Sequence, residues 1–79
     1  MKRSKLELYL EILSTLGQRR AQKLTSILDK ININYIFLKE RMRFLLKQGL
    51  VEQRNSGEQV AYSNTPRGII VLRYFSEHL

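Results

Sequence analysis

The sequence predicts an α+β fold: a three-helix core, a β-hairpin of two or three strands, and a C-terminal helix. Three observations predict it. The first is Asn34 to Leu50, NYIFLKERMRFLLKQGL, an amphipathic helix with both ends written into it. Asn accepts hydrogen bonds from the free amides of a first helical turn, and Gly after the last turn takes a left-handed conformation at no steric cost. Leu38, Met42, Leu45 and Leu46 recur at the spacing of one buried face, while Ile36, Lys39, Glu40, Arg43 and Lys47 fall opposite. The second is a shorter apolar segment with a three-residue turn just ahead of that helix. The third is a change of period after Gly49, from helical spacing to alternation.

Taken in order, the chain opens on a short basic arm, residues 1–3, with Lys2 and Arg3 ahead of Lys5. An arm of this kind frays. Ser4 and Glu7 are spaced as a capping box, so a helix should run from Ser4 to Leu16 and end at Gly17. Leu6, Tyr9, Leu10, Leu13 and Leu16 form its core stripe; Leu8 and Ile12 are a second apolar pair that a lone domain would not need. Gln18 to Leu24 is too polar for a helix and reads as a brief edge strand or loop. Thr25 is the expected cap of a helix over Ser26–Ile31. Asn32, Ile33 and Asn34 make the turn, where Asn tolerates the left-handed conformation and Ile33 can plug the gap between helices. A short helix, a tight turn and a longer helix compose a helix-turn-helix unit.

Leu50–Arg54 and Val60–Ser63 then read as strands around Asn55, Ser56, Gly57 and Glu58, a hairpin spanning 50–63 with Gly at its tip. Thr65 caps and Pro66 opens the last helix, over 65–79, because Pro loses nothing at the first helical position. Val71, Leu72, Phe75 and Leu79 should face inward, with Gly68 allowing close approach. Ile69, Ile70 and Tyr74 are left on the outer side.

Composition bounds the function. At 79 residues, with 43% hydrophobic residues and one Pro, the chain is one small globular domain, 1–79. No apolar run reaches the roughly 18 residues of a membrane span, and no signal peptide is visible, so a cytoplasmic, nucleoid-associated location is expected and a membrane partner is not. The lack of Cys removes disulfides and thiolate metal sites. Fourteen Lys and Arg against seven acids give +7, a field that favours polyanions, double-stranded DNA foremost.

Thr25 to Val51, TSILDKININYIFLKERMRFLLKQGLV, resembles the small archaeal winged helix-turn-helix domains, the group that includes dimeric chromatin-type proteins with a C-terminal coiled coil. The Thr cap, the Asn32-Ile33-Asn34-Tyr35 turn and the Leu-Leu-x-x-Gly-Leu-Val exit carry the resemblance, and the Thr-Pro-x-Gly opening of the last helix extends it. The resemblance implies DNA binding with the third helix in the major groove, the hairpin as a wing on backbone or minor groove, and a homodimer formed through terminal helices. Only about four turns follow Pro66, so the dimer should be compact, and Leu8, Ile12, Ile69, Ile70 and Tyr74 are the surplus apolar residues that would build it.

On this reading Tyr35, Ile36, Lys39, Glu40 and Arg43 face the groove: Arg43 or Lys39 toward guanine edges, Glu40 toward cytosine, Ile36 toward a thymine methyl. Asn34 caps and can touch phosphate. Arg54, Asn55 and Gln59 sit near the wing tip; Arg19, Arg20, Lys23 and Lys47 are phosphate candidates by charge. Catalysis finds no support, since the lone His78 is penultimate and no nucleophile-base pair, Gly-rich phosphate loop, metal cluster, cofactor motif or small-molecule site is evident. Two other readings remain open: an architectural protein that coats DNA, and a winged helix that binds protein through Tyr35, Ile36, Phe37 and Phe44.

Overall fold

The computed structural model describes residues 4–78, so the basic arm at 1–3 and Leu79 lie outside the described residues. The chain runs α1 (Lys5–Leu16), α2 (Leu24–Lys30), α3 (Tyr35–Lys47), β1 (Val51–Ser56), β2 (Gln59–Asn64) and α4 (Pro66–His78). The α+β class and the order expected from the sequence are both present.

Local chemistry fixes most of the ends. Ser4 and Glu7 form the capping box, with the Glu7 amide donating to Ser4 Oγ at 3.0 Å. Asn34 Oδ1 accepts from the Phe37 amide at 3.0 Å, and loss of such a cap costs about 1 kcal/mol. Neither Asn32 nor Asn34 takes a positive φ, contrary to the expectation for the turn; the chain passes from Ile31 through extended backbone instead. The helix α2 begins earlier than expected, at Leu24, and Thr25 lies inside its first turn. The cause is tertiary: Gln22 is pinned to Tyr62 by two backbone hydrogen bonds of 2.8 Å, so the helix starts as soon as that bridge releases the chain. Of the brief edge strand or loop expected over 18–24, the structure has a loop with this one bridge and no strand. Gln22 also donates from Nε2 to the Thr15 carbonyl and accepts from Lys30 Nζ, both at 2.9 Å, which joins the end of α1 to the end of α2.

The core is Ile12, Leu13 and Leu16 of α1, Ile27 and Ile31, Leu38, Met42 and Leu45 of α3, and Val51 of β1. Ile12 is fully buried, so its assignment to a dimer surface is corrected: α1 touches α2, β2 and α4 and uses apolar residues on more than one side within the monomer. Leu8 is half-buried against the same core. Leu6, expected in the core stripe, is largely exposed, while Tyr9 stacks on Phe44 with ring centroids 4.8 Å apart and ties α1 to α3.

The hairpin strands are each longer than expected and turn through Gly57 and Glu58 alone, with Ser56 paired to Gln59. Gly57 has φ 63° and Glu58 is not left-handed, the pattern of a two-residue turn with glycine first. At the base of β2, Asn64 Nδ2 donates to the Leu13 and Gly17 carbonyls, both at 2.9 Å, and so finishes the C-terminus of α1. Thr65 accepts from the Gly68 amide at 3.1 Å as the cap of α4 and donates to the Gly49 carbonyl at 2.6 Å.

Gly68 is buried, and a Cβ there would overlap the Leu50 carbonyl oxygen. Helix propensity alone favours alanine by about 1 kcal/mol, whereas overpacking against fixed backbone costs about 1–3 kcal/mol. The collision should win. Gly68→Ala is expected to lower the melting temperature by several degrees in calorimetry; an unchanged or raised value would mean that α4 shifts freely on the α3 exit.

Candidate nucleic-acid interface

With Leu38, Met42 and Leu45 held in the core, the rest of α3 is presented outward. Ile36 is 66% exposed, the most open large apolar side chain among the described residues, and Lys39, Glu40, Arg43 and Lys47 are all exposed. Among the described residues none of the three α3 cations Lys39, Arg43 and Lys47 enters an ion pair, so their charge is available to an outside anion. Lys39 Nζ lies 5.5 Å from the centroid of the Tyr35 ring, a cation–π contact that steadies the ammonium beside the helix start.

The outward residues do not all point one way. Ile36, Glu40 and Lys47 fall along the outermost line of the helix, whereas Lys39 and Arg43 lean toward the hairpin. There they line a cleft of about 200 Å³ together with Gln53 and Tyr62 from the two strands, over a floor that includes Met42 and Leu46. Gln53 and Tyr62 are directly paired across the ladder. Gln53 Nε2 donates to Asn55 Oδ1 at 3.1 Å along the same face of the sheet. Burial pushes the Tyr62 hydroxyl above the usual tyrosine range, and the neighbouring Tyr35 phenol adds to the shift.

Strand alternation sends Arg54 and Gln59 to the other face of the hairpin, so the structure separates them from Asn55. Arg54 is drawn to Glu52, with Nη2 2.9 Å from Oε1, and Glu52 also accepts from Ser63 Oγ at 3.4 Å. Arg19 and Arg20 join Arg54 around a recess of about 320 Å³ on that face. Lys23 lies with Arg19 and Arg20 beside the start of α2. The sequence-derived cations therefore form two groups, one on α3 and one behind the hairpin. Asn34 commits its Oδ1 to the cap of α3.

Gln53 and Tyr62 were not singled out from sequence. The signal for them was the two-residue turn: once Gly57 and Glu58 alone are the loop, Gln53 must sit opposite Tyr62.

The surplus apolar residues also divide. Ile70 is 64% exposed and Tyr74 55% exposed on one side of α4, whereas Ile69 is half-buried on the other side, at the recess that holds Arg19 and Arg20. An apolar groove of about 300 Å³ between α1, α3 and α4 is lined by Leu6, Tyr9, Leu10, Phe44, Leu50 and Val71 among others. Among the described residues no helix is long and apolar enough to cross a membrane.

Solved structures with this arrangement include proteins described as transcription regulators. The structure of a possible HxlR family transcriptional factor from Thermoplasma volcanium superposes with a TM-score of 0.73 at 31% identity, over 95% of this chain and 81% of that one. The transcriptional repressor BigR from Xylella fastidiosa gives 0.77 at 19% identity, over 91% of this chain and 71% of its own. Wild-type ZitR from Lactococcus lactis, solved in complex with DNA, gives 0.77 at 20% identity over 99% of this chain, which spans about half (53%) of ZitR. No curated protein sequence matches the chain. The winged helix-turn-helix family model matches residues 2–78, and with its helices and hairpin in that order the protein belongs to the winged helix-turn-helix family.

Proposed function

We propose that the protein is a DNA-binding transcription regulator that lays α3 in the major groove and its hairpin against the adjacent backbone or minor groove, as a homodimer. The observation that carries this reading is α3 itself. Its N-terminus is capped by Asn34, its back is locked by Leu38, Met42 and Leu45, and it offers three cations that no acid within the described residues neutralises. A helix held this rigidly, on a chain of net charge +7, is pre-organised for a polyanion. The similarity to ZitR, solved in complex with DNA, supports the same reading.

Ile36 and Glu40 on the outermost line are assigned to base edges, Ile36 to a thymine methyl and Glu40 to a cytosine amine. An acid on this face repels phosphate unless the right base is present, which favours a sequence-specific regulator over a protein that coats DNA indifferently. Lys47, and Arg19, Arg20 and Lys23 behind the hairpin, act on phosphates; Arg19 and Arg20, on a second face, are also what favours the architectural alternative. Ile70 and Tyr74 are the exposed apolar pair assigned to the dimer contact.

Two measurements test the reading. In a salt titration against selected and random duplex pools, wild type should prefer the selected pool. Glu40→Gln should bind random duplex several-fold more tightly and lose most of that preference. Equal affinity for both pools would favour the architectural role, and no binding near about 50 mM salt would sink DNA recognition. In sedimentation equilibrium the wild type should be dimeric and Ile70→Glu monomeric with a wild-type circular dichroism spectrum, since residue 70 faces solvent in the single subunit; a monomeric wild type would remove the homodimer.

A further inference from the structure

Adjoining grooves of a duplex are separated by one sugar–phosphate strand. A protein with α3 in the major groove and the hairpin beyond it must carry that strand across the cleft between the two. Resting on the DNA-binding reading above, we propose that the cleft lined by Lys39, Arg43, Gln53 and Tyr62 is a phosphodiester-binding site. It follows that Lys39 and Arg43 hold the backbone rather than read guanine, and that base discrimination is left to Ile36 and Glu40.

Four features of the cleft fit a phosphodiester and little else. No carboxylate lines it, and its polar groups are an ammonium, a guanidinium, an amide and a phenol, all of which can donate. Its volume, about 200 Å³, suits one phosphate with part of its sugar. The floor supplied by Leu24, Met42 and Leu46 is apolar, which accepts the sugar and strengthens charge-assisted hydrogen bonds above it. Its walls are also fixed in advance.

Tyr62 is clamped through its backbone to Gln22 by two 2.8 Å hydrogen bonds, and Lys39 rests on the Tyr35 ring. The Tyr62 hydroxyl has no hydrogen-bond partner among the described residues, and burial beside Tyr35 keeps it protonated, so it meets a phosphate as a neutral donor. Gln53 gives one amide hydrogen to Asn55 and keeps the second for the ligand. The basic group behind the hairpin offers no comparable site, because its strand member Arg54 is already paired with Glu52.

The test separates affinity from preference. Selected and random duplexes are titrated with wild type, Tyr62→Phe, Gln53→Ala and the double variant Lys39→Ala, Arg43→Ala, each checked for wild-type circular dichroism. Tyr62→Phe should weaken both duplexes by the same factor, about fivefold, the worth of one hydrogen bond. The double variant should reduce the salt slope by about two units and leave the ratio between selected and random duplex unchanged. Replacing phosphates one at a time by uncharged methylphosphonate should reveal one position per bound subunit at which wild type and Tyr62→Phe no longer differ in affinity. Loss of the selected-to-random ratio in the double variant, with the slope intact, would show that Lys39 and Arg43 read bases and overturn the site. So would wild-type affinity in both Tyr62→Phe and Gln53→Ala, while the DNA-binding reading would stand. A wild type that binds neither duplex would overturn both.

Discussion

Two consecutive residues, Asn64 and Thr65, hold three helix ends at one point. The Asn64 amide closes the last turn of α1 through the Leu13 and Gly17 carbonyls. The Thr65 hydroxyl takes the Gly49 carbonyl at the exit of α3 and the Gly68 amide at the entry of α4, while its own amide donates to Leu50 at 3.1 Å. Because Val51 pairs with Asn64, the hairpin springs from this same point. The angle between α3 and the hairpin, which defines the cleft, is thus set by a few hydrogen bonds among the elements that meet there. Gly68 belongs to the constraint as well: only a residue without a side chain lets α4 sit against Leu50.

Much of this was legible in the sequence where the cause is local. Ser4 with Glu7, Asn34 and the Thr65-Pro66 start each cap a helix within a turn of themselves, and each plays the part its residue type implies. What could not be read has its cause elsewhere in the chain. The start of α2 is decided by the pairing of Gln22 with a residue on β2. Ile12 looked surplus because helical spacing counts faces, and only tertiary packing shows that α1 has neighbours on several sides. Arg54 looked like a free cation until the strand placed Glu52 beside it.

The candidate site was partly legible for the same reason. The exposed residues of α3 follow from periodicity, so Tyr35, Ile36, Lys39, Glu40 and Arg43 were all found on its open side. Their partners across the cleft depend on register, and the chain read with a four-residue loop gave no reason to place Gln53 opposite Tyr62. The net charge of +7 likewise said nothing about its division between α3 and the face behind the hairpin.

The hairpin has one further property. The strand β1 pairs with β2 on one side only, while β2 has Gln22 on its far side, so among the described residues the outer edge of β1 has no strand partner. Such an edge invites strand addition by another molecule and, from there, aggregation. Glu52 and Arg54 stand on this strand as a salt-bridged pair that an incoming chain would have to desolvate or displace. Charged side chains on an edge strand oppose such growth, so the pair puts an electrostatic cost on any sideways extension of the sheet.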